Sequence, residues 1–187
     1  MCCSFALVVR GQALRKPISP LDSITVQNAA FIGVVHMDRS GYDYLMACDI
    51  IKSYKCNKLL DRSFFLEVRD DRWSFLEGNT CLVFAYDDSD KYYVDRSSSV
   101  LRDEDRGKAA FYVDKNSRIL QAEDSGKDIE YLLSVLPCYD SKLREKSKGM
   151  ACPRDYTPVC GCDGVTYGNA SEALKSGIII FANGQCK

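Results

Sequence analysis

Only 37 residues follow Met150, too few to bury a self-sustaining hydrophobic core, and four of the ten cysteines of the chain fall among them. A segment of that size needs covalent staples, and Cys152, Cys160, Cys162 and Cys186 are the ones at hand. The other cysteines stand at positions 2, 3, 48, 56, 81 and 138. An even and high count favours disulfides, and therefore a secreted, extracellular setting. Zinc is disfavoured, because no Cys-x-x-Cys pair exists and His36 is the single histidine. The same scarcity removes most Ser-His-Asp and Cys-His catalysis and leaves His36 as a partly buried strand or turn residue. The acidic cluster Asp87, Asp88 and Asp90 reads as a solvated hairpin tip. No enzyme, metal or cofactor is expected.

Composition narrows the partners. The chain has 187 residues, 46% of them hydrophobic, and a formal net charge of -1, which describes a globular chain with no electrostatic footprint for nucleic acid. No apolar run approaches the roughly 20 residues of a membrane-spanning helix. The start, Met1-Cys2-Cys3-Ser4-Phe5, has no basic segment before its short apolar run, so a signal peptide is not evident.

Residues 24–138 read as mostly β. The strands expected are 24–35, 42–51, 64–68 and 81–86, separated by turn clusters at 38–41, 77–79 and 87–90. A hairpin or loop is expected near 111–120. A helix is expected over 125–136, with Ile129, Leu132, Leu133 and Leu136 on one face and Pro137 as its stop. The polar, basic stretch 139–150 lacks apolar periodicity and reads as a linker. The expected division is a first domain over 1–138, this linker, and a stapled domain over 151–187.

The last segment runs Cys152-Pro-Arg-Asp-Tyr-Thr-Pro-Val-Cys160-Gly-Cys162-Asp-Gly-Val-Thr-Tyr-Gly-Asn169 and closes on Gly184-Gln-Cys186. Cys-x7-Cys, Pro-Val-Cys-Gly, Asp-Gly-x-Thr-Tyr-Gly-Asn and the closing Gly-x-Cys together resemble a Kazal-type serine protease inhibitor domain. The resemblance implies an inhibitory loop formed by Cys152, Pro153, Arg154, Asp155 and Tyr156. Arg154 is then the primary specificity residue, and Arg154-Asp155 the bond offered to the protease. A guanidinium there suits the acidic primary pocket of trypsin-like serine proteases. Tyr156 becomes an aromatic anchor on the far side of the bond, while prolines at 153 and 158 restrict φ and pre-organise the loop. Asn169 takes the family position whose amide bonds loop carbonyls on both sides of the scissile bond.

Two departures matter. Ser171 stands where the family has its fourth cysteine and Leu174 near the fifth, so the usual partner of Cys152 is missing, while Cys162 is extra. The resemblance carries over a Cys160 to Cys186 pairing. Cys152 and Cys162 are left to pair with each other, with Cys138, or to stay reduced. Ser171 also completes an Asn169-Ala-Ser171 sequon, and a glycan there competes with the bracing role of Asn169.

In the first domain, Ala30-Phe-Ile-Gly-Val-Val35, Leu76-Glu-Gly-Asn-Thr-Cys-Leu-Val-Phe-Ala85 and Ser97-Ser-Ser-Val-Leu101 resemble the netrin-like module of tissue inhibitors of metalloproteinases. The implied fold is a five-stranded OB barrel with a flanking helix. In that family a free N-terminal cysteine amine chelates a metalloproteinase zinc. Here Met1 precedes Cys2, and the partner cysteines are replaced near Arg72-Trp73 and at 97–99, so metalloproteinase inhibition ranks as the weaker alternative. Cys48 and Cys81 lie in strands, where a buried thiol is as good a reading as a disulfide.

The expected protein is mainly β, with an OB-like barrel followed by a small disulfide-stapled α+β domain. Its expected function is inhibition of a trypsin-like serine protease through Arg154. The alternative is a non-inhibitory extracellular interaction protein that uses both modules to bind matrix proteins.

Overall fold

The computed structural model describes residues 20–40, 45–87 and 109–187. The expected strand over 24–35 is corrected at its start, where Ser23–Asn28 forms a short helix, α1. The Asp22 carboxylate caps it by accepting the Thr25 N–H at 2.6 Å. That cap outweighs the strand preference of the β-branched residues and turns only Val26 inward.

Strand β1 (Phe31–Arg39) follows and pairs antiparallel with β2 (Leu45–Cys56) and with β4 (Thr80–Ala85). β2 is longer than expected and alternates cleanly at first, with Met46, Cys48 and Ile50 inside and Asp49 and Ile51 outside. Its register against β1 then slips twice, leaving Ile51 and Tyr54 of β2 unmatched on either side of Lys52 and Ser53. These bulges re-aim the strand so that Ser53, fully buried, faces the C-terminal region. Gly33 sits at the slip beside Tyr54, where a Cβ would lie 2.8 Å from the Lys52 carbonyl oxygen.

β3 (Ser63–Val68) pairs with β2, and β5 (Ala109–Val113) runs parallel to β3. A short helix, α2 (Trp73–Leu76), precedes β4, and β6 (Ile119–Gln121) pairs with β4. Phe31, Phe64 and Phe111, from β1, β3 and β5, meet with ring centroids 5.1 to 5.7 Å apart, so the sheet curls around an aromatic cluster. The expected closed five-stranded barrel is not confirmed. The ladders trace an open path, β6-β4-β1-β2, that continues into the C-terminal strands with β3 and β5 off it, and the residue just past β4 joins β5 at an isolated bridge between Tyr86 and Tyr112.

A helix, α3 (Gly126–Val135), occupies the expected place. Leu132 is buried and Ile129 and Leu136 are partly so, but Leu133 is 51% exposed and is not part of the inward face. Asp128 on α3 is buried against the Arg118 guanidinium, which reaches both of its oxygens at 2.6 and 3.0 Å and so compensates the charge.

The stretch 139–150, expected as a linker, holds a helix, α4 (Ser141–Ser147). Asp140 caps it by accepting the N–H groups of Lys142 and Leu143, and Leu143 plugs the core at 3% exposure. One apolar residue in seven leaves no periodicity to read, which is why the sequence resembles a linker. The C-terminal strands are β7 (Val159–Gly161), β8 (Thr166–Tyr167) and β9 (Phe181–Asn183), with α5 (Ala170–Lys175) between β8 and β9. β9 pairs on one side with β7 and on the other with Lys52 and Ser53 of β2, so one sheet and one apolar core run through both regions. Among the described residues no helix is long and apolar enough to cross a membrane.

Candidate functional site

The loop from Cys152 to Pro158 leaves α4 and enters β7. Pro153, Arg154, Asp155 and Tyr156 are all exposed, Tyr156 by 68%. Among the described residues no side chain pairs with the exposed Arg154 guanidinium.

Beneath the loop, Asn169 is 97% buried, at 3% exposure, and its amide is fully used. Its Oδ1 accepts the Glu172 N–H at 2.9 Å, capping α5, and this fixes which way the amide faces. Both Nδ2 hydrogens then point to the loop, donating to the Pro153 and Asp155 carbonyl oxygens at 3.1 Å each. The two carbonyls bracket Arg154. A glycan on this nitrogen is incompatible with the arrangement, since it would remove a donor and add bulk to a buried amide.

Further ties act along the loop. The Thr157 N–H donates to the Gly168 carbonyl at 2.9 Å, the Gly184 N–H to Pro158 at 2.8 Å, and the Thr157 hydroxyl to Asp155 at 2.8 Å. Gln185 Nε2 donates to the Tyr156 hydroxyl at 2.9 Å, orienting an otherwise solvated ring.

Two disulfides hold the region, Cys160–Cys186 and Cys138–Cys162. The first is the pairing the family resemblance implies. The second resolves the open alternatives for Cys162 in favour of Cys138, tying the end of α3 to the β7–β8 turn. Cys152 is left as a free, partly exposed thiol at the upstream end of the loop.

Ser171, at the place of the missing cysteine, is 3% exposed, and its hydroxyl donates to the Leu60 carbonyl at 2.8 Å with the Asp61 carboxylate 3.3 Å away. Ser53 does the same in the opposite direction, donating to the Ile179 carbonyl at 2.9 Å. Neither bond is foreseeable from the sequence, because each joins residues more than 100 positions apart. Leu174 is fully buried and fills the other vacated cysteine position with apolar volume. Tyr167 packs partly against the core and donates its hydroxyl to Asp163 at 2.7 Å. Burial and that bond to a carboxylate push its phenol up to about 12.

In the larger region Arg72 grips the Asp70 carboxylate and donates to the Asp114 and Ser117 carbonyls, a polar cluster that ties a loop to its neighbours and does not line an exposed loop. His36 is partly buried on β1, with Nδ1 3.1 Å from the Thr80 hydroxyl. Asp87 is engaged by Lys58 at 2.8 Å, while Asp88 and Asp90 lie outside the described residues, as do Cys2, Cys3 and the 97–101 segment. Cys48, Cys56 and Cys81 are free and buried. Burial lifts the Cys56 thiol to about 12, the Cys81 thiol to about 11 and Cys48 well above its ordinary value, so none is a thiolate at neutral pH.

An exposed loop bracketed by two carbonyls on one buried amide, over a disulfide-tied three-stranded sheet, defines a Kazal-type module, and the family's sequence profile matches residues 139–171. The match begins within the stretch expected as a linker, so α4 belongs to the matched segment. A trypsin inhibitor of Gallus gallus, ClTI-1, is 48% identical over 42 residues, which cover 19% of this chain and 74% of the relative. The chain belongs, through this C-terminal segment, to the Kazal-type serine protease inhibitor family. No solved structure matches the chain.

Proposed function

We propose that the protein inhibits a trypsin-like serine protease by presenting Cys152, Pro153, Arg154, Asp155 and Tyr156 as a substrate-like loop. The observation that carries this reading is the Asn169 amide, with its paired 3.1 Å bonds to the carbonyls on either side of Arg154. Arg154 enters an acidic primary pocket, and its side chain is free to do so without breaking an internal pair. If the protease cuts Arg154–Asp155, Asn169 holds the Pro153 carbonyl on one fragment end and the Asp155 carbonyl on the other. Cys160–Cys186 keeps the downstream strand in register. The ends therefore stay within reach of each other, and resynthesis of the bond competes with release.

The setting proposed is extracellular, supported by the two disulfides. For the larger region we propose an OB-type barrel. Support comes from the parallel β3–β5 pairing, the stacked Phe31 and Phe111 rings, and the Tyr86–Tyr112 bridge, which exchanges two backbone hydrogen bonds of 2.9 Å across the gap between β4 and β5.

The test is a titration of trypsin activity with the purified full chain and with Arg154→Ala, while cleavage after Arg154 is followed by mass spectrometry. Stoichiometric inhibition weakened by about a thousandfold in the variant, on the scale of an interface hot spot, is the expected result. The free Cys152 supports a second reading, a non-inhibitory interaction module for matrix proteins, because the upstream end of the loop has no covalent anchor. Rapid cleavage without resynthesis, or no inhibition at all, is the outcome that selects it.

A further inference from the structure

We infer that Ser171 is a positioning residue for the reactive loop, so that the β2–β3 connection of the larger region is part of the inhibitor. This inference rests on the inhibitory reading above. Its basis is an unbroken series of contacts. The Leu60 carbonyl, on the connection between β2 and β3, accepts the Ser171 hydroxyl at 2.8 Å, in a site where Ser171 is 3% exposed. Ser171 lies in the first turn of α5, two residues after Asn169, and Ala170, Ala173 and Leu174 bury the inward side of the same helix. The helix start is what aims Asn169, since Oδ1 must accept the Glu172 N–H for both Nδ2 hydrogens to face Pro153 and Asp155.

With Cys152 free, no disulfide ties the upstream end of the loop to α5. The amide of Asn169, the Thr157 to Gly168 backbone bond and a bond from Lys175 Nζ to the Met150 carbonyl at 2.5 Å are ties on that side, and the first two depend on where the 168–171 segment sits. A buried hydroxyl bonded to a carbonyl restricts that segment, because losing the bond strands the Leu60 acceptor away from water. The larger region therefore supplies a noncovalent brace. Ser53, which donates to the Ile179 carbonyl, joins the same two regions at β9 and not at α5. It provides the internal control.

The experiment compares the full chain with Ser171→Ala, Ser171→Thr and Ser53→Ala. Each is read by hydrogen exchange at the Thr157 amide and by the inhibition constant for trypsin, at a temperature where every variant is fully folded. Ser171→Ala is expected to speed Thr157 exchange and weaken inhibition, each by about tenfold, and to shift the equilibrium between intact and cleaved Arg154–Asp155 toward cleavage. Ser171→Thr keeps the donor and should restore both readouts. Ser53→Ala should lower the unfolding midpoint while leaving Thr157 near its wild-type rate. If alanine at 171 prevents folding, Ser171→Cys combined with Cys152→Ser offers a weaker donor without a new bridge, and it is read at the same amide. Unchanged Thr157 exchange in the Ser171 variants overturns the inference, and so does an equal rise in Ser53→Ala, which would mark a global effect. Failure of the wild type to inhibit trypsin, with the exchange pattern intact, would instead remove the inhibitory reading and leave the brace standing.

Discussion

The two regions of this molecule solve the same problem with different chemistry. The larger one is held by burial, with Phe31, Ile32, Val35, Leu82 and Phe84 all fully inside and three cysteines kept as thiols. The C-terminal one has short strands and two disulfides, and it spends buried polar groups such as Asn169 on shaping a loop. A curled sheet can exclude water on its own. A module with strands of two or three residues cannot, so it uses bonds with direction, and direction is what a loop presented to a protease needs.

Breaking that contrast starts in the larger core. Phe31→Ala removes one ring of the three-ring cluster and should cost about 3–5 kcal/mol in chemical unfolding, with the native loop geometry untouched until the chain unfolds. An effect under about 1 kcal/mol would mean that the aromatic cluster does not hold the sheet. On the other side, joint Cys160→Ser and Cys186→Ser substitution opens a bridge spanning 26 residues and should cost roughly 3 kcal/mol. Strand amides of β1 and β4 should stay protected in that variant, while the loop becomes a cleavable substrate. Loss of protection in β1 as well would show that the covalent and packed regions share one fate.

Asn169→Ala should weaken trypsin inhibition by about thirtyfold, or ~2 kcal/mol, from two loop bonds and a lost helix cap. Equal inhibition with and without the amide would detach the loop from its support. Thiol labelling sharpens the comparison without changing its energy. Among the described cysteines Cys152 should be alkylated at neutral pH roughly a hundredfold faster than Cys48, Cys56 and Cys81, whose burial both blocks access and disfavours the thiolate.

The smallest effect concerns Tyr167. Its folded phenol ionises near 12 against about 10 in an unfolded chain. Its contribution is therefore fully present below pH ~10 and lost as pH rises toward 12, because only the unfolded form releases the proton in that window. Ultraviolet titration of the full chain against Asp163→Asn should move one tyrosine downward. No movement would exclude Asp163 as a cause.

Much of the site was legible because its chemistry is local. Cys-x7-Cys and the Asn169 position lie within a short span, and it was their resemblance to the Kazal pattern, not the spacing by itself, that implied which amide reaches which carbonyls. The strands β1, β3 and β4 announced themselves through apolar runs. What escaped was nonlocal or overridden by capping. Asp22 converted a β-branched segment into α1, and Leu143 alone was too sparse to signal α4. The Ser53 and Ser171 bonds cross the whole chain. A serine in sequence carries no mark that says its acceptor is 111 residues away.

The pairing of β9 with Lys52 and Ser53 has a consequence for how portable this module is. Excised as a bead and transplanted onto another protein, the C-terminal segment would expose the flank of β9 that β2 now occupies. The donor chain would be left with an unpaired stretch of β2. Both pieces would carry open edges of the kind that recruit neighbouring chains. Shuffling at the apparent boundary near residue 150 therefore courts precipitation at both ends of the cut, and a graft that respects the sheet has to take its seam elsewhere.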